Sequence, residues 1–292
     1  MSLKFRGLGV AMVTPFDERG NIDFGSLSNL VEHLITGNAS YIVLLGTTAE
    51  SVVLSEIEKD ELVRFVVKQV KGRLPLVMGV GGNNTSAIKD TLKTFDFSGI
   101  DGILSVTPYY NKPTQKGLEL HYKAIAAQTD LPIILYNVPG RTGVNMTAET
   151  TLKLASEVLN IVAVKEASGN INQQSYILRD RPEDFLVLSG DDGLAMPQMA
   201  MGFDGVISVV GNAFPKPFSE MIDYAQQGKL QEAQEIHLKL IEIIDNLFVE
   251  GNPAGVKAVL SMMGIVKNVL RLPLAPISDR TFAKLEQLIK DI

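Results

Sequence analysis

Eight short apolar runs rich in β-branched residues recur along the chain, each separated from the next by enough residues for one helix. They are Gly7–Val13, Tyr41–Leu45, Pro75–Val80, Gly102–Val106, Pro132–Tyr136, Ile161–Lys165, Phe185–Ser189 and Gly205–Val209. Runs of this length without polar alternation read as strands covered on both faces. The intervening segments carry helical periodicity. In Glu56–Val70, residues Ile57, Leu62, Phe65, Val66 and Val70 are read as one apolar face, and Gln115–Gln128 carries Leu118, Tyr122 and Ile125. Strands that alternate with helices must run parallel, and eight such units predict closure into an α/β (β/α)8 TIM barrel. The alternative is an open doubly wound sheet. Against it, no Gly-x-Gly-x-x-Gly comes after the first strand, and Gly79-Val80-Gly81-Gly82 lacks the third glycine.

Beyond the eighth unit the pattern is helical throughout, in segments Leu230–Phe248, Pro253–Met263 and Asp279–Ile289. The chain is therefore divided into a barrel catalytic domain over residues 1–226 and a C-terminal helical region over 227–292. In the first segment Ala233, Ile236, Leu240, Ile244 and Leu247 form a face too wide for a free surface helix, so it packs on its own barrel or on another subunit.

Composition narrows the classes of function. A net charge of −6 leaves no basic stripe, which argues against nucleic acid as a partner. The chain has no cysteine, which excludes thiolate metal sites and is compatible with a reducing, cytoplasmic location. His33, His121 and His237 fall in separate helical patterns with no carboxylate-histidine motif, so neither a catalytic metal nor another cofactor is expected. There is neither an 18-residue apolar stretch nor a secretion signal, and no membrane partner is expected.

Barrel active sites are built from the loops at the strand ends, and here one residue stands out. Lys165 ends the run Ile161-Val162-Ala163-Val164 and precedes Glu166-Ala167-Ser168-Gly169. An ammonium at the end of a strand covered on both faces loses hydration, which lowers its pKa and makes the amine a nucleophile able to form a Schiff base with a ketone. Strand two ends in Gly46-Thr47-Thr48-Ala49-Glu50-Ser51, whose turn amides and hydroxyls suit a carboxylate. Strand four leads to Tyr109-Tyr110-Asn111-Lys112-Pro113, strand five to Tyr136-Asn137-Val138-Pro139-Gly140-Arg141-Thr142, and strand seven to Ser189-Gly190-Asp191-Asp192. Taken singly, each has a plainer reading as a helix cap, a core tyrosine or a surface ion pair. Gathered at one mouth they supply an amine, a phenol to move protons and clamps for carboxylates, which is what enamine chemistry requires. Loops seven and eight lack a cluster of cations, so a phosphorylated substrate is not expected.

On these motifs the chain resembles the pyruvate-dependent Schiff-base lyases and synthases, and within them the dihydrodipicolinate synthase family. The resemblance runs from Gly9-Val10-Ala11-Met12-Val13-Thr14-Pro15-Phe16 to Leu272-Pro273-Leu274-Ala275-Pro276-Ile277. It implies condensation of pyruvate with L-aspartate-4-semialdehyde in lysine and diaminopimelate biosynthesis, by a homotetramer built as a dimer of dimers. By the resemblance, Lys165 is the Schiff-base lysine, Tyr136 the general acid/base, and Thr47 relays protons while Thr48 holds the pyruvate carboxylate. It also makes Tyr110 a residue that crosses a subunit interface to a neighbour's relay, and Arg141 the clamp for the aldehyde substrate's carboxylate. Gly190 and Ile207 complete the implied substrate-binding set. The open alternative is a related pyruvate-dependent aldolase acting on a sugar acid or another aldehyde. N-acetylneuraminate lyases resemble the chain in the lysine and second tyrosine but lack the arginine.

Two departures from the family pattern are visible. Ala49 stands where the threonine loop has glycine, and Gly255 replaces the second proline of Asn-Pro-x-Pro-Val-Lys at Asn252-Pro253. At the family's lysine-inhibition site, Asn83 and Tyr109 are kept, whereas a glutamate position falls on Ala87 and two histidine positions fall on Glu56 and Lys59. Loss of the carboxylate that would meet a lysine ammonium predicts weak or absent feedback inhibition.

Overall fold

The computed structural model describes residues 2–292. Its strands are β1 (Gly7–Ala11), β2 (Tyr41–Leu44), β3 (Leu76–Gly79), β4 (Gly102–Val106), β5 (Ile133–Asn137), β6 (Ile161–Glu166), β7 (Leu186–Ser189) and β8 (Gly205–Ser208). All pair in parallel with their chain neighbours, and β8 returns to β1 with Gly7 opposite Gly205, so the sheet closes as the eight-unit repeat requires. β1 is two residues shorter than its apolar run. Its continuation leaves the ladder because the Val13 N–H donates to the side chain of Asn212 at 3.0 Å.

Closure sorts the strand residues by parity. Ala163 faces the barrel interior with Ile134, Tyr136, Leu186 and Leu188, while Val164, Leu135 and Val187 face the surrounding helices. Lys165 shares the inward parity of Ala163, and Glu166 the outward parity of Val164. Phe5 and Tyr41 pack edge to face in the interior with ring centroids 5.8 Å apart. Tyr41 also explains Gly9, since a Cβ there would lie 2.2 Å from its ring.

The helix Glu56–Val70 buries Leu62, Val63, Val66 and Val70, but Ile57 is 73% exposed, contrary to its assignment to the apolar face. At about 100° per residue, Ile57 lies on the side of the helix opposite Val66. The C-terminal helices are Leu230–Phe248, Ala254–Met262 and Asp279–Leu288. The first buries its wide apolar face within this chain, against the helix Pro215–Gln226 and its two C-terminal neighbours. Gly255 permits that packing, because a Cβ there would fall 2.2 Å from the Leu247 carbonyl oxygen.

Candidate active site

A cavity of about 130 Å³ opens at the ends of the strands and is lined by Thr47, Thr48, Tyr136, Arg141, Lys165 and Gly190, among others. Lys165 reaches it because β5 and β6 are in register with Tyr136 opposite Lys165. The Lys165 Nζ sits 4.4 Å above the Tyr136 ring centroid. The lysine is only 5% exposed, and it makes no hydrogen bond or ion pair among the described residues. Burial draws its pKa down to about 8, with the Asp192 charge opposing and the Arg141 charge acting in the same direction. An amine in this state is neutral in a sizeable fraction of molecules near neutral pH.

The phenol of Tyr136 is shifted the other way. Its burial raises the pKa above the ordinary tyrosine value, opposed by the Arg141 charge and the Thr47 hydroxyl, so the group stays protonated and able to donate. Thr47 and Thr48 open a short turn after β2 that closes with Glu50 in the left-handed region at φ 54°. The Thr47 and Thr48 N–H groups have no backbone acceptor among the described residues and are free for an anion. Ala49 lies inside that turn, and the positive φ values fall on Leu45 and Glu50 instead. Its methyl group therefore meets no backbone strain. The Ala49 carbonyl accepts from Thr14 Oγ1 at 2.7 Å.

Tyr110 and Ile207 are not among the residues that line this cavity. Tyr110 is 89% exposed, with φ at 76°. Ile207 packs in the barrel interior, in the same apolar cluster as Ala11 and Tyr136, and the wall contributed after β8 is Val209. The cavity also contains residues that the strand-end reading did not single out. Phe248 and Asn252 come from the C-terminal region, and the Asn252 Nδ2 donates to Thr48 Oγ1 at 3.0 Å. That bond leaves the single Thr48 O–H free to donate to a ligand. Asp192 is buried close enough for its charge to act on Lys165, and its Oδ2 accepts from the Val209 and Val210 N–H groups at 2.9 and 3.0 Å. Burial pushes its carboxyl pKa up, against these hydrogen bonds.

A larger cavity of about 660 Å³ adjoins the first across Thr47, Tyr136 and Arg141 and runs to Glu56, Lys59, Asn83, Ala87 and Tyr109. There Lys59 Nζ pairs with Glu56 Oε1 at 2.6 Å.

Gly190 is required by close approach. A Cβ at this position would lie 2.6 Å from the Ala167 Cβ, and 3.0 and 3.2 Å from Lys165 Cε and Cγ. Gly190→Ala should therefore displace the lysine side chain and lower kcat by about 10²-fold, the penalty typical of a shifted side chain in an active-site cavity. Steady-state kinetics, with circular dichroism to verify the fold, tests this; an unchanged kcat would mean that the lysine tolerates the shift.

Known proteins match this chain along nearly its whole length. The Dihydrodipicolinate synthetase family matches residues 4–292. The 4-hydroxy-tetrahydrodipicolinate synthase of Parabacteroides distasonis is 52% identical over 290 residues, covering 99% of this chain and 98% of the relative. That of Phocaeicola vulgatus is 50% identical over 289 residues, covering 99% and 97%. The crystal structure of dihydrodipicolinate synthase from Thermotoga maritima superposes with a TM-score of 0.96 at 42% identity, covering 99% of this chain and 98% of that one. With a lysine and a phenol in register at the mouth of a closed barrel and this breadth of likeness, the chain belongs to the dihydrodipicolinate synthetase family.

Proposed function

We propose that the chain condenses pyruvate with L-aspartate-4-semialdehyde to 4-hydroxy-tetrahydrodipicolinate through a Schiff base on Lys165. The observation that carries this reading is the buried, unpaired Lys165 amine held over the Tyr136 ring. The neutral amine adds to the ketone carbon of pyruvate, and loss of water gives an iminium. Release of a methyl proton then gives an enamine, whose carbon attacks the aldehyde. The semialdehyde's own amine next attacks the iminium carbon, closing the ring and freeing Lys165. Across the cycle one water is lost. Tyr136 and Thr47 move the protons, Thr48 and the turn amides hold the pyruvate carboxylate, and Arg141 holds that of the semialdehyde.

Arg141 carries the choice of aldehyde. A coupled assay offering aspartate semialdehyde, N-acetylmannosamine or glyceraldehyde with pyruvate should show turnover with the first alone. Arg141→Ala should raise the KM for the semialdehyde about tenfold or more, with the pyruvate KM within about threefold of wild type, because a bidentate carboxylate partner is lost. Equal weakening of both substrates would assign the arginine to the wrong one.

The same reading includes a cytoplasmic homotetramer in which Tyr110 serves a neighbouring site. What supports the role of Tyr110 is its exposure and its φ of 76°, near Lys112 at φ 48°, a conformation that bulky residues adopt only under constraint. Free lysine should inhibit weakly or not at all, since Ala87 supplies no carboxylate and Glu56 is already paired with Lys59. An initial-rate titration near both KM values tests this, and strong inhibition below millimolar lysine would contradict it.

A further inference from the structure

A buried ion pair joins the C-terminal helices to the loop that carries Thr47 and Thr48. Lys257, on the helix Ala254–Met262, and Glu50, which closes the threonine turn, both have fully buried side chains, with Nζ to Oε1 at 2.5 Å. Each group also makes a second hydrogen bond. Lys257 also donates to the Val269 carbonyl at 2.9 Å, and Glu50 Oε2 accepts from the Arg271 N–H at 3.0 Å. The Phe16 ring lies 4.2 Å from the Lys257 Nζ and 4.5 Å from the Arg271 guanidinium carbon. Arg271 extends the clamp along the same segment, donating to the Val53 carbonyl at 3.0 Å and pairing with Glu58.

Burying a charge pair is seldom the most stable way to fill a core, because desolvation offsets the attraction between the partners. A hydrophobic pair of similar volume would hold the two regions together as well or better. What a hydrophobic pair lacks is direction. The ion pair fixes Glu50 at a single distance from a rigid helix, and Glu50 is two residues from Thr48 in a turn whose geometry sets both threonine hydroxyls. Asn252, at the start of the same C-terminal segment, adds its bond to Thr48 itself.

We propose that Lys257 and Glu50 are positioning residues for the condensation: their ion pair sets the height and tilt of the threonine turn, making the C-terminal helices part of the proton-relay and carboxylate-binding geometry. This rests on the Schiff-base reading above. Loss of the pair should lower kcat, because Thr47 drifts from Tyr136, and raise the KM for pyruvate, because Thr48 and the turn amides drift from the carboxylate. The KM for the semialdehyde, held by Arg141, should change little.

Two full-length variants test this. Glu50→Gln/Lys257→Met removes both charges together at similar volume, the change least damaging to a buried pair. Glu50→Asp keeps both charges and shortens one arm by a methylene, moving the turn without unpairing it. For each, thermal unfolding, kcat and the two KM values are measured, together with borohydride trapping of pyruvate on Lys165 at saturating pyruvate. The expected result is a cooperative fold, retained trapping, kcat lower by about tenfold or more, and a pyruvate KM raised several-fold with the semialdehyde KM within about twofold. Retained trapping separates this outcome from failure of the Schiff-base assignment, which would abolish trapping in the wild-type chain as well. Folded variants with wild-type kcat and pyruvate KM would overturn the proposal and leave the pair a structural contact. Should the double variant fail to fold, the charge-preserving Glu50→Asp decides alone on the same kinetic criteria.

Discussion

Lys165→Met is expected to abolish turnover, by about 10³-fold or more, while leaving the barrel folded. Methionine fills nearly the same volume but cannot attack a ketone. No hydrogen bond or ion pair of Lys165 would be broken among the described residues, so the change removes chemistry without unpairing a neighbour. Stability at neutral pH should rise. The folded pKa of about 8 lies below the ordinary lysine value of 10.5, so the unfolded chain binds this proton more readily. The penalty is fully present below pH 8 and disappears as pH rises towards 10.5. From the shift it amounts to up to about 3 kcal/mol. Denaturant unfolding of wild type and variant at pH 7 and pH 10 measures it: the variant's advantage should be large at the first and small at the second.

Tyr136→Phe should lower kcat by about 10² to 10³-fold with a small effect on the pyruvate KM. The ring would still support Lys165, because the 4.4 Å contact is to its face and not to its hydroxyl. In the proposed mechanism, what is lost is a proton donor and acceptor at the point where carbinolamine dehydration and enamine formation both need one. Schiff-base formation should slow but still reach completion, so borohydride should label the variant after long incubation. Rapid labelling at the wild-type rate would assign the proton transfer to another group, with Thr47 an alternative in the same cavity.

The barrel is legible in the sequence because its strands are apolar on both faces and its helices are not, so run length alone separates the two. That uniform apolarity also hides something: with no polar alternation, inward and outward positions of a strand look alike. Lys165 can be recognised from the strand end, but its register with Tyr136 depends on the shift between β5 and β6 at Ile133 and Ile134. Ile57 is misplaced when its apolar character is weighed without its helical angle. Asn252 reaches Thr48 and Lys257 reaches Glu50 across separations of 204 and 207 residues, and no local pattern joins residues so far apart. Of the two departures from the family pattern, Ala49 needs no special backbone conformation. Gly255 marks a backbone contact between helices that sequence spacing does not reveal.

The central claim is that Lys165 is the residue that bonds to pyruvate, and reductive trapping tests it most directly. Borohydride added to the wild-type chain in the presence of pyruvate should fix one adduct per chain, located by peptide mapping on Lys165. Its initial rate should rise with pH to about 8, as the neutral amine becomes the main form, and then level off. An adduct on any other lysine, or none under conditions that trap a known Schiff-base enzyme, would contradict the account.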